Sequence, residues 1–336
     1  MSDKINLGVL GAGTWGIALA RMLVNAGHRV TVWSAIGEEI DILSSTRRHP
    51  NIPEIDLPSK IEYTKDIKIA CEKKDIIVFA VPSPFVRATA KKAAPYITEG
   101  QIIVDVAKGI EEETLCMMTE IIAEEINNPE VSIVALSGPT HAEEVVRDLP
   151  TTIVSASKDI KSAEYVQSIF NTQCMRVYTN DDILGVELCG ATKNIIALAC
   201  GVAMGLGCGD NAKAAIITRG IAEISRLGAA MGCREQTFGG LAGIGDLIVT
   251  CTSRHSRNSR CGELVGSGMS YPEAQEKIGM VVEGYHALEA AIELSEKHGV
   301  EMPITRAVYE VICRGEPIYD VMRALMNRDI KSELIV

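Results

Sequence analysis

The sequence predicts an α/β chain: a doubly wound sheet domain over residues 1–182, followed by an all-helical domain over residues 183–336. Three observations lead there. Short β-branched runs alternate with longer helical patterns through the first half, as in a parallel sheet with crossover helices. A glycine-rich turn, Gly11-Ala12-Gly13-Thr14-Trp15-Gly16, stands where the first strand should give way to a helix. After about Asp182 the strand signals stop and helical patterns take over. A length of 336 residues is also long for a single core, so two domains are expected.

Taken in order, strands are predicted at residues 5–10, 29–33, 75–81, 101–107, 132–137, 151–157 and 175–178. The run at 75–81 is almost wholly apolar, as expected of a strand covered on both faces, and Pro82 and Pro84 end it. Residues 47–59 carry Pro50, Pro53 and Pro58 and follow neither apolar period, which fits an ordered surface loop or lid and equally a plain connector. In the second half, helical patterns cover residues 212–231, 271–277 and 287–298. The longest uncharged segment, 194–209, is glycine-rich and shorter than the roughly 20 residues of a membrane span, so a buried helix and loop are expected there. No repeat or low-complexity tract interrupts the pattern.

Bulk properties narrow the function. A net charge of -11 with 4% aromatic residues argues against a nucleic-acid partner. The first residues have no basic segment ahead of a long apolar run, so no export signal is expected. Ten cysteines lie without a CxxC pair or histidines at zinc spacing, which points to mostly buried, reduced thiols, a cytoplasmic location and no metal.

GxGxxG is weak alone, but here it directly follows an apolar strand, opens a helix and is followed by a second strand. In that setting Gly11 permits the tight turn, Gly13 lets a pyrophosphate approach the backbone and Gly16 lets helix and strand pack closely. The helix N-terminus adds free amides and partial positive charge. The first domain is therefore read as a Rossmann-type domain for NAD or NADP. An NAD site usually carries an acid at the end of the second strand; here that strand ends Trp33-Ser34-Ala35, Glu38 and Glu39 come later, and Arg47 and Arg48 later still. The choice between NAD and NADP stays open, with both expected to work within roughly 100-fold of each other.

Ligands of open parallel sheets sit beyond the carboxyl ends of the strands, which singles out residues 11–16, 82–85, Lys108-Gly109 and Gly138-Pro139-Thr140-His141. Lys108 is either a site residue or an ordinary lysine at a strand exit. Lys193 lies in a helical stretch with almost no other charge, beside Gly190 and Ala191. It either snorkels to the surface or is held near a partner, where burial would bring its pKa down from about 10.4 into the range of a general base. Arg254, Arg257 and Arg260, interleaved with Ser256 and Asn258, make a positive patch in an acidic chain. That patch suits phosphate, unless it is simply a solvated helix start.

These residues also carry a resemblance. GAGTWGIALA from Gly11, AKG from Ala107, SGPTHAEE from Ser137, GATKNIIALA from Gly190, GLAGIGDLIVTCTSRHSRN from Gly240 and VVEGY from Val281 together resemble the bacterial NAD(P)-dependent sn-glycerol-3-phosphate dehydrogenases, in order over nearly the whole chain. The resemblance implies hydride exchange between dihydroxyacetone phosphate and sn-glycerol 3-phosphate, a precursor of phospholipids. It implies that Lys193 is the proton donor and acceptor and that Lys108 faces both substrate and nicotinamide. Gly138, Thr140, Asp246, Ser256, Arg257 and Asn258 would contact substrate. Thr14, Trp15, Ala142, Arg257, Val281 and Glu283 would contact cofactor. The chain departs from the family where Ser34-Ala35 follows the second strand, a place often basic or polar, and where Arg47-Arg48-His49-Pro50-Asn51 replaces a loop bearing asparagine and tyrosine.

Two other kinds of protein share part of this pattern. A β-hydroxyacid dehydrogenase shares the layout and the lysine but selects a carboxylate, and would not be expected to carry the GIGD and SRN segments. A non-catalytic NAD(H) sensor would need a DNA-reading module or basic surface that the sequence does not offer. A homodimer is the expected assembly for an enzyme of this size.

Overall fold

The structure is a computed structural model that describes residues 4–330, 332 and 333. Its N-terminal half holds one eight-stranded sheet with order β3-β2-β1-β4-β5-β6-β7-β8. The strands are β1 (Asn6–Leu10), β2 (Arg29–Trp33), β3 (Glu62–Thr64), β4 (Ile76–Phe79), β5 (Ile102–Asp105), β6 (Ser132–Ser137), β7 (Thr151–Ala156) and β8 (Met175–Asn180). Helices α1 (Thr14–Asn25), α2 (Gly37–Thr46), α3 (Ile67–Cys71), α4 (Val86–Ala93), α5 (Met118–Ile126), α6 (Ala142–Val145) and α7 (Ile160–Phe170) connect them. Alternation along the strands divides the core in two. Ile76 and Val78 join Leu7, Val9 and Val32 under α1, whereas Ile77 and Phe79 join Leu10, Trp33 and Ile103 against α3, α4 and α5.

All seven strands expected from the sequence are present. β3 was missed because it is three residues long and follows the proline-rich loop; it pairs with β2 through Thr31, Val32 and Trp33. The sheet is also not parallel throughout. β7 runs antiparallel to β6, and β8 follows it in parallel. Residues 138–150 contain only the four-residue α6 and return the chain at the same end of the sheet instead of crossing over it. The strand order reverses between β1 and β4, which opens a crevice at their carboxyl ends.

The second half is helical: α8 (Ile183–Gly205), α9 (Gly209–Ala230), α10 (Glu235–Phe238), α11 (Asp246–Thr252), α12 (Arg257–Gly266), α13 (Tyr271–Ile278), α14 (Glu283–His286), α15 (Leu288–Lys297), α16 (Pro303–Ile312) and α17 (Ile318–Met326). Asp182 starts it, accepting from Gly185 N at 3.0 Å to cap α8 while its other oxygen holds Arg234 N and Thr237 Oγ1 at the start of α10. Glu223 of α9 similarly receives Ile304 N and Thr305 N at the start of α16. The central α8 is long and apolar enough to cross a membrane, yet 89% of that stretch is buried inside the protein.

α8 and α12 lie side by side with backbone against backbone. A Cβ on Gly201 would fall 2.1 Å from the Ser259 carbonyl oxygen, and one on Gly262 would fall 2.2 Å from that of Leu198. Gly205 and Gly266 repeat the contact one turn on. The ten cysteines are free; Cys71, Cys189, Cys200, Cys251 and Cys261 are buried, while Cys208 is exposed.

Candidate active site

The glycine turn leaves β1 as the spacing requires. Gly11 has φ +127, and a Cβ there would strike the Ala80 carbonyl at 2.6 Å. At Gly16 a Cβ would lie 2.2 Å from the Gly11 oxygen, but at Gly13 it would meet nothing within 4 Å. The backbone is thus closed below and open above, and no side chain caps the first amides of α1. Thr14 and Trp15, half-buried, begin that helix. The 47–59 loop is ordered and folds onto the turn: Asn51 Nδ2 donates to Thr14 Oγ1 at 2.9 Å, and Ile52 and Leu57 are buried beneath it.

Beyond the carboxyl ends of β5 and β6, two lysines converge on one carboxylate. Lys108 follows β5 and donates from Nζ to Asp246 Oδ2 at 2.7 Å and to the Gly138 carbonyl at 3.2 Å. Lys193, on α8, donates to Asp246 Oδ1 at 2.5 Å and to Thr250 Oγ1 at 2.8 Å. Asp246 opens α11 and is 1% exposed, while Lys193 is 6% exposed, so neither snorkels to solvent. Thr250, one turn after Asp246, donates to the Asp246 carbonyl at 2.6 Å and thereby aims its own lone pair at Lys193.

The charges set one another. Burial disfavours the ionised Asp246 carboxyl, but Lys108 and Lys193 outweigh it and hold that group below the usual carboxylate range. Burial acts on Lys193 in the same sense as the repulsion from Lys108, and against the pull of Asp246; the net effect lowers its pKa to about 8. Two ammonium groups on one carboxylate leave a local excess of positive charge, suited to an oxyanion.

Around this centre Gly138 accepts also from Thr140 Oγ1, and His141 leads into Ala142 at the start of α6. Ser137 Oγ and His141 Nε2 are buried without a protein partner. A Cβ on Gly190 would come 3.2 Å from Ser137 Oγ and 3.3 Å from Lys108 Cγ, so a side chain there would crowd both. Among the described residues no group of three or more His, Cys, Asp or Glu is placed to hold a metal ion.

The arginine patch divides. Arg254 and Arg260 are exposed, whereas Arg257 is half-buried and donates to the Val281 carbonyl at 3.1 Å. Ser256 caps α12, its Oγ accepting from Ser259 N. Asn258 bridges inward: it donates to Asn194 Oδ1 at 3.0 Å and accepts from Gly284 N at 2.8 Å. Asn194 in turn donates to Glu283 at 3.1 Å. The sequence reading thus named residues that the fold brings together. It gave no role to Thr250 or Asn194, although Thr250 stands at the i+4 position from Asp246 and Asn194 is next to Lys193.

Comparison with known proteins identifies the family of the chain as a whole. The NAD-dependent glycerol-3-phosphate dehydrogenase N-terminus matches residues 6–163, and the corresponding C-terminus matches residues 182–323. A glycerol-3-phosphate dehydrogenase [NAD(P)+] 2 of Lactobacillus delbrueckii subsp. bulgaricus is 59% identical over 332 residues, 98% of each chain. A glycerol-3-phosphate dehydrogenase [NAD(P)+] of Agathobacter rectalis is 50% identical over 97% of each. The crystal structure of glycerol-3-phosphate dehydrogenase from Coxiella burnetii superposes with a TM-score of 0.92 at 35% identity, covering 97% of this chain and 99% of that one. With both halves matched and the lysine pair in place, the chain belongs to the NAD-dependent glycerol-3-phosphate dehydrogenase family.

Proposed function

We propose that the protein interconverts dihydroxyacetone phosphate and sn-glycerol 3-phosphate with NAD(P)(H), supplying glycerol phosphate for phospholipid synthesis. The observation that carries this reading is the clamp of Lys108 and Lys193 on Asp246 at the carboxyl edge of the sheet. The open backbone above Gly13, between the close packing at Gly11 and Gly16, fits a pyrophosphate. Thr14, Trp15, Ala142, Val281 and Glu283 would line the rest of the cofactor site. When bound, the nicotinamide supplies the hydride for reduction and takes it back in oxidation.

The chain's own residues perform the proton chemistry. In reduction Lys193 gives its Nζ proton to the oxygen at C2; in oxidation the neutral amine takes that proton from the C2 hydroxyl. Lys108 stabilises the negative charge that builds on the same oxygen. Asp246 and Thr250 fix the direction of the Lys193 amine. Gly138 and Thr140 would position the three-carbon chain, with Arg257, Ser256 and Asn258 at the phosphate. Arg257 retains donors beyond the one given to Val281, and a planar guanidinium matches phosphate in bidentate fashion.

The test is oxidation of NADH or NADPH followed at 340 nm with dihydroxyacetone phosphate; no turnover with either cofactor refutes the proposal. We further propose a boundary between the domains at Asp182, supported by its capping of α8, a cytoplasmic location and a homodimeric assembly, the last tested by sedimentation.

A further inference from the structure

The acid missing from the end of β2 is delivered by the helix that follows. Ser34, buried at the exit of β2, accepts from Ile36 N at 3.1 Å and donates from Oγ to Glu39 Oε2 at 2.5 Å. Glu39 occupies the first turn of α2, so the helix folds its carboxylate back over the strand end. That strand end is tied to the glycine turn, because Gly11 N donates to the Trp33 carbonyl at 2.8 Å. In space, therefore, Glu39 stands where strand-end acids stand in NAD sites, although it lies several residues late in the chain.

Among the described residues no Lys or Arg is paired with the Glu39 carboxylate. His49, from the 47–59 loop, accepts from Asn51 N at 3.1 Å through Nδ1. Burial pushes the His49 pKa down against the pull of Glu39, so at neutral pH the imidazole offers no counter-charge. The neighbouring cations are engaged elsewhere. Lys65 pairs with Asp41 at 2.7 Å and Arg48 with Asp56 at 2.8 Å. Arg47 donates to the Ile61 carbonyl and lies over the Tyr63 ring, and Lys92 lies over the Trp33 ring. Each of these cations already has a partner, and Ile36, 57% exposed beside Ser34, offers apolar surface for an adenine ring.

We infer that Glu39, held by Ser34, reads the adenosine ribose of the cofactor by accepting from its free 2′-hydroxyl, and that the protein consequently favours NAD(H) over NADP(H). The inference rests on the glycine turn being a dinucleotide site. It gives a direction to a choice that the sequence leaves open. A 2′-phosphate would lose the hydrogen bond to a charged acceptor and place its own negative charge against the carboxylate, which disfavours NADPH on the order of 10- to 100-fold in Kd.

The experiment is a fluorescence titration of NADH and NADPH against the whole protein, its Glu39→Gln variant and its Ser34→Ala variant, with no substrate and no turnover. The parent should bind NADH more tightly by the ratio above. Glu39→Gln keeps an acceptor for Ser34 but removes the charge, and should bring the two Kd values within roughly threefold, mainly through tighter NADPH binding. Ser34→Ala frees the carboxylate and should narrow the ratio part of the way. Equal Kd values in the parent, or an unchanged ratio in Glu39→Gln, overturn the role of Glu39 while leaving the dinucleotide site intact. A parent that binds neither nucleotide overturns the site itself and this inference with it.

Discussion

Replacing Lys193 with methionine isolates the proton-transfer step from folding. Losing one partner of a buried ion pair costs about 3–5 kcal/mol when it strands the other charge. Here Asp246 keeps Lys108 at 2.7 Å, so its charge is not stranded. Removal of the ammonium also lifts the penalty that lowers its pKa from 10.5 to about 8, about 3 kcal/mol at 1.36 kcal/mol for each pKa unit. That net penalty already includes the pull of Asp246, so losing the ammonium brings no large cost, and the methionine fills the 6% exposed site with similar length. Folding and cofactor binding should survive. The chemical step should slow by roughly 10² to 10⁴-fold, toward the upper end because oxyanion stabilisation is lost as well. Lys193→Arg should restore little, since a guanidinium does not release its proton near neutral pH.

The assay is single-turnover hydride transfer in both directions across pH, with a cofactor titration to confirm an intact site. Reduction needs protonated Lys193, so its kcat/KM should be level below about pH 8 and fall above it; oxidation needs the neutral amine and should rise through the same pH. Both inflections should vanish in Lys193→Met. A variant rate within about tenfold of the parent, below the usual worth of acid-base catalysis, or an inflection that persists in the variant, would refute the assignment and shift attention to Lys108.

Arg257→Ala should raise the KM for substrate by about one to two orders of magnitude through loss of charge-assisted bonds. The KM for cofactor should rise too, because Arg257 also holds the Val281 carbonyl; unchanged values for both remove it from the site. Gly262→Ala should lower stability by at least about 1–3 kcal/mol in urea unfolding, because its methyl would meet the Leu198 oxygen at 2.2 Å; an unchanged midpoint contradicts the tight crossing. Burial raises the Glu187 pKa to about 7, against hydrogen bonds from Thr119 N and Oγ1. A carboxyl whose folded pKa is raised loses stability as pH climbs from its unfolded value, 4.5, through 7. Glu187→Gln should therefore gain relative to the parent over that window, by up to about 3 kcal/mol, and a pH-independent difference would show that Glu187 does not titrate there.

The first domain was legible because its signals are local. Apolar runs such as residues 76–79 and the glycine spacing at 11–16 are written within a few positions of one another. The reversal of β7 was not, since nothing in residues 138–150 declares whether a connection crosses the sheet or returns beside it. At the site, the residue types after each strand pointed to Lys108, and the apolar context of α8 pointed to Lys193. Their shared carboxylate, 53 positions beyond Lys193, belongs to tertiary packing. Asn258 shows the same limit. The sequence places it beside Arg257, but only the fold discloses that its amide clasps Asn194 and Gly284 behind the arginine. Glu39 escaped a rule that looks at the end of a strand, because the chain reaches the same point through the first turn of a helix.

The crossing of α8 and α12 limits how this site can change over time. Lys193 and Arg257 ride on these two helices, and the gauge between them is set where Gly201 and Gly262 bring backbone to backbone. No side chain remains there to be trimmed, so mutation can spread the helices but cannot draw them closer. Substitutions at the crossing can therefore accommodate longer substrates at a cost in stability, while shorter ones can be gained only from residues that line the cleft itself.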